Sequence, residues 1–118
     1  MATSTINVDS YSTFEVNFSN NPTTYVDSGR LYVIRRGSIV LLRFVDFHIR
    51  NSPSATETLY SGIPRAAFNI SSVIHPSNAT FAVQSILITG KDIKNFYTVD
   101  SVRANQIFLG EIVYFTTE

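Results

Sequence analysis

The sequence predicts an all-β protein: an antiparallel sandwich, jelly roll or small barrel of about eight strands. Three observations lead there. Segments rich in Thr, Val, Ile, Phe and Tyr recur along the chain, and these residues suit a pleated, half-buried surface. Where the segments are periodic the period is two, and no window shows the 3.6-residue spacing of an amphipathic helix. Gly, Pro, Asn and Ser separate the segments at the short intervals of antiparallel folds.

Residues 1–12 are polar and read as an arm or a connection to the domain. Residues 13–18 alternate, with Phe14, Val16 and Phe18 on one face. Residues 31–36 form the next strand, and Gly37 supplies a tight turn or bulge because glycine adopts positive φ without steric cost. The long strand 38–50 follows. Its first half is apolar at successive positions, which predicts burial on both faces, and its second half places Asp46, His48 and Arg50 on one face. Arg43 stands inside the apolar half. A buried arginine needs a partner, so it either snorkels to the surface or meets a carboxylate at a subunit interface.

Residues 51–56 have loop composition, and 59–65 read as a short extended piece in which Pro64 holds Ile63 in β or polyproline geometry. Strands are predicted at 66–74 and 80–89, broken by His75-Pro76-Ser77-Asn78 and closed by Gly90-Lys91-Asp92. Residues 95–100, 106–109 and 111–117 complete the set, with Gly110 as a bulge inside one bent strand.

A length of 118 residues suits one domain spanning 1–118, able to bury roughly two-thirds of its unfolded surface. A hydrophobic content of 44% excludes intrinsic disorder. Nine basic residues balance nine acidic ones, so the basic excess of a nucleic-acid binder is missing, and Arg35, Arg36, Arg43, Arg50 and Arg65 read as solvated. The lack of cysteine excludes disulfides, thiolate metal sites and a cysteine nucleophile, and suits folding in a reducing compartment. No basic segment leads into an apolar one at the N-terminus, so no signal peptide is expected. The longest apolar run, 39–42, is too short to span a bilayer, so no membrane partner is expected.

Catalytic chemistry is not expected, nor a cofactor or metal. His48 and His75 lie on separate segments without metal-ligand spacing. Ser61-Gly62 lacks the setting of a nucleophile elbow, and no pair of the scattered carboxylates is singled out. The binding candidates are Asp46, His48 and Arg50. They offer an acceptor, an imidazole and a planar five-donor fork, which suits sugar hydroxyls or polymer phosphate. An ordinary solvent-facing strand end gives the same pattern. Tyr97, beside Asn95 and Asp100, is the candidate stacking platform, whereas Tyr114 in an apolar strand reads as core.

Four segments in order, Arg36-Gly-Ser-Ile-Val-Leu-Leu-Arg-Phe44, Leu59-Tyr-Ser-Gly-Ile-Pro-Arg65, Ser85-Ile-Leu-Ile-Thr-Gly90 and Gly110-Glu-Ile-Val-Tyr-Phe115, resemble the C-terminal heads of receptor-binding proteins at phage tail tips. The likeness is to those from phages of Gram-positive bacteria, the lactococcal type in particular, and it covers roughly residues 30–117. The resemblance implies a homotrimer that binds host cell-wall saccharide near a subunit boundary. It also implies partners among other tail and baseplate proteins, and a place in the virion after assembly in the host cytoplasm. Asp46, His48, Arg50 and Tyr97 are the positions that would make the sugar contacts. The chain departs from the family in having no Trp and no helical shoulder in its first thirty residues. The alternative is a structural β-sandwich of a capsid, baseplate or tail decoration that binds protein rather than sugar. An exposed apolar face on 38–45 would favour that alternative.

Overall fold

The computed structural model describes residues 11–78, 84–96 and 102–118. The described residues form an all-β sandwich of eight strands in two antiparallel sheets, as the sequence predicts. The strands are β1 (Tyr11–Asn17), β2 (Val26–Arg36), β3 (Ile39–Ile49), β4 (Thr58–Ser61), β5 (Ile70–Ile74), β6 (Gln84–Thr89), β7 (Asp92–Asn95) and β8 (Ile107–Phe115). One sheet has the order β1-β2-β3-β8 and the other β4-β7-β6-β5. The chain makes a three-stranded meander, crosses to the second sheet for four strands, and returns to lay β8 beside β3.

Two tight turns fall where glycine signals them. Arg36 pairs with Ile39 across Gly37-Ser38, and Thr89 pairs with Asp92 across Gly90-Lys91. Each glycine takes the first central position with positive φ, the geometry of two-residue hairpin loops. Some boundaries differ from expectation. β2 starts five residues early because it runs through Gly29, and β7 ends at Asn95, where the sequence reading begins a strand. The segment 66–74 is a strand only from Ile70, although Ala66 bridges to Thr116 beyond the end of β8.

The core lies between the sheets. Leu31, Val33, Val40, Leu42, Phe44 and Phe47 enter it from one side, and Leu59, Ile74, Ile86, Ile88 and Ile93 from the other. Phe47 forms edge-to-face contacts with Phe18 and Phe44, at centroid distances of 5.2 and 5.0 Å. Burying these aromatic and branched side chains supplies the main drive to fold. The buried polar Asn95 is fully partnered. Its side-chain amide donates to the Ser54 carbonyl at 2.9 Å, and its carbonyl accepts from the Val102 amide at 3.1 Å.

Tyr114 is core, as expected, and its hydroxyl donates to the Pro64 carbonyl at 2.6 Å. Burial, with the nearby Glu118 carboxylate adding to it, pushes its phenol well above the ordinary value of 10.0. A raised folded-state pKa means that the unfolded chain loses this proton first. The contribution to stability is therefore complete below pH 10 and declines as pH rises through the folded value. Urea melts from pH 9 to 11.5 should show stability falling above pH 10, with a shallower fall in Tyr114→Phe. Equal slopes for the two proteins would refute the assignment.

Candidate functional site

The outer face of the β1-β2-β3-β8 sheet carries the surface features with functional potential. In β3, Val40, Leu42 and Phe44 point inward, so Ile39, Leu41 and Arg43 point outward. The expectation that the first half of this strand is buried on both faces is thereby corrected: one face is core and the other is an open apolar surface. The cause is topological. This sheet is antiparallel and covered on one side only.

Register aligns the outer side chains in rows across the sheet. Tyr11, Arg36, Ile39 and Phe115 form one row, and Thr13, Ile34, Leu41 and Val113 the next. Ile39, Val113 and Phe115 are 49%, 57% and 54% exposed, and such a cluster on one face is a large concession to solvent. Ile39 and Phe115 also line an open apolar hollow of about 570 Å³ beside the Gly37 turn. The third row is Glu15, Tyr32, Arg43 and Glu111. Here charges are matched within the chain: Glu15 to Arg30 at 2.8 Å, and Arg43 to Glu111 at 3.8 Å. Arg43 therefore needs no subunit interface. It is exposed, and its carboxylate partner sits on the neighbouring strand.

Beyond this row the sheet is irregular. Phe44 pairs with Gly110 and Phe47 with Phe108, so Val45 and Asp46 together oppose Leu109. This is a β-bulge, and Asp46 adopts φ +49° within it. The bulge lies in β3, while Gly110 stays inside the continuous strand β8 opposite it. It also shifts the phase of β3. Inward positions are even-numbered up to Phe44 and odd-numbered from Phe47.

After the bulge Asp46, His48 and Arg50 do share the outer side, but two of them are engaged. His48 Nδ1 lies 2.5 Å from an Asp27 carboxylate oxygen, and Arg50 donates to the Thr23 carbonyl at 2.5 Å. With Asn51, which donates to the Thr24 carbonyl, they tie the 23–27 segment to the end of β3. Asp27 reaches His48 because it is the extra residue of a second irregularity, between Val26 and Ser28 of β2. Sequence reasoning missed Asp27, since nothing local marks a bulged aspartate. Asp46 is exposed and forms no ion pair among the described residues. It borders a small polar hollow of about 120 Å³ with Asn17, Ser19 and Arg30. Tyr97 lies outside the described residues. Among those described, no group of three His, Asp or Glu side chains converges as a metal site requires, and no helix is long and apolar enough to cross a membrane.

Comparison with family models, with curated proteins and with solved structures returns no match for this chain.

Proposed function

We propose that the protein is a non-catalytic structural β-sandwich that assembles with further copies of itself through the outer face of the β1-β2-β3-β8 sheet. The observation that carries this reading is a contiguous outward-facing apolar surface in which Ile39, Val113 and Phe115 are exposed and Ile34 and Leu41 half-buried between them. Four strands at about 4.8 Å spacing and about 30 Å length give a face of roughly 570 Å². Covering it on two copies removes about 1,100 Å², just above the roughly 1,000 Å² that a specific interface requires. Glu15 and Arg43 are already paired in cis, with Arg30 and Glu111, which leaves Arg36 at the margin as the charge that a second copy must accommodate. The resemblance to tail-tip receptor-binding heads supplies the setting, a phage tail or baseplate.

The test is the solution mass by light scattering. Wild type at tens of micromolar should be oligomeric, while Ile39→Asp and Val113→Asp, at exposed positions, should lower the mass with the melting temperature of the protomer unchanged. A monomeric wild type, or variants that stay fully assembled, would refute the proposal.

A second reading, recognition of host cell-wall saccharide, is favoured by the polar hollow at the bulge. There an exposed Asp46 adjoins Arg30, Asn17 and Ser19, groups able to bond sugar hydroxyls. Several weak sites on one oligomer would gain strength by avidity. Asp46→Asn is the clean probe, because changes at His48 or Arg50 would also release the 23–27 segment. Loss of adsorption to host cells with assembly intact supports the saccharide reading, and unchanged adsorption removes Asp46 from it.

A further inference from the structure

The two edges of the outer sheet differ. Along β8 the free edge is covered near both ends: the Ala67 amide donates to the Phe115 carbonyl at 2.8 Å, and the Ser77 amide to the Ile107 carbonyl at 2.7 Å. Along β1 no described residue pairs with the free edge. Natural sheets blunt such edges with lysine, proline, bulges or very short strands. β1 has none of these. It is seven residues long, pairs with β2 without a register shift, and carries one charge, Glu15, which is matched to Arg30.

We propose that β1 pairs antiparallel with the β1 of a second copy about a two-fold axis, joining two four-stranded sheets into one of eight strands. The partner is specified by the strand's own pattern. The Phe18 amide donates to the Gly29 carbonyl, so even-numbered residues bond toward β2 and the N–H and C=O groups of Tyr11, Thr13 and Glu15 point to the open edge. A two-fold axis normal to the sheet keeps outer side chains opposite outer ones, which restricts the centre of symmetry to a residue. Centring on Glu15 would place two like charges opposite each other, and centring on Thr13 would leave Val16 and Asn17 unmatched.

Centring on Phe14 pairs all seven residues. Thr13 then faces the partner's Glu15, Ser12 the partner's Val16, and Phe14 the partner's Phe14. Phe14 points to the inner side yet is 41% exposed, because its own second sheet does not cover it. The two-fold mate would cover it in a non-hydrogen-bonded pair, where side chains lie closest. This contact uses backbone groups at an edge and does not depend on the apolar outer face.

The absence of cysteine makes the test direct. In a non-hydrogen-bonded pair the Cα atoms are about 4.5 Å apart, within disulfide range. Phe14→Cys under mild oxidation should therefore form a covalent dimer as the dominant product on a non-reducing gel, also in an Ile39→Asp background. A mixture of Ser12→Cys and Val16→Cys should give the crossed dimer, which keeps the register testable if Phe14→Cys folds poorly. Thr13→Cys alone should give no covalent dimer, because Thr13 faces the partner's Glu15. No dimer from either Phe14→Cys or the mixture overturns the proposal, as does Thr13→Cys cross-linking as readily as Phe14→Cys. The chain's own residues 1–10 covering the edge would give the first of these overturning results.

Discussion

Gly29→Ala is expected to destabilise the protein by about 3 kcal/mol or more, a fall in melting temperature on the order of 10 °C. Gly29 has φ +90°, a conformation that L side chains rarely adopt. A Cβ built there would lie 2.5 Å from the Asp46 carbonyl carbon and 2.8 Å from the Phe47 amide nitrogen. Both are backbone atoms of β3, so relief requires moving a strand that is paired on both sides. Gly110→Ala is the control. Its φ is +156°, but nothing lies within 4 Å of the new Cβ, so it carries conformational cost without collision. Thermal melts should rank wild type above Gly110→Ala and Gly110→Ala above Gly29→Ala. Equal costs at the two glycines would mean that β2 and β3 do not approach so closely at the bulge.

The same bulge marks the limit of what the sequence made legible. The all-β class, the Gly37 turn and the core role of Tyr114 follow from local composition, and the structure has them. The shift of phase in β3 was not anticipated: Phe44 and Phe47, three apart, both face inward only because the bulge intervenes. Nor was the identity of the opposing glycine, since pairing Gly29 with the Asp46 region is a non-local event. For the candidate site, the sequence placed Asp46, His48 and Arg50 together on the outer side. It did not show that Asp27 and the Thr23 carbonyl occupy two of them. Nor did it show that residues 39–45 leave one apolar side open, because a run of apolar residues reads alike whether one face or both are covered.

Phe47→Ala is expected to cost about 3–5 kcal/mol, the range for removing a fully buried aromatic ring. Phe47 is 1% exposed and is the first inward side chain after the bulge. Its ring touches Phe18, which follows β1, and Phe44, on the far side of the bulge, each nearly perpendicular at interplanar angles of 86°. Truncation removes buried apolar area, forfeits two edge-to-face contacts worth about 0.5–1.5 kcal/mol each, and leaves a cavity that a two-sheet core collapses into only partly. Phe115→Ala provides the contrast in an Ile39→Asp background, where the outer face is uncovered. Its ring is 54% exposed, so the protomer should lose no more than about 0.5 kcal/mol. Urea denaturation should show the midpoint moving with unchanged slope for Phe47→Ala and almost no movement for Phe115→Ala. A Phe47→Ala cost below about 1 kcal/mol would place this ring outside the core. The phase shift would then be absent, and the outer face would have to be redrawn with Val45 and Phe47 outward and Asp46 inward, in unbroken alternation from Phe44.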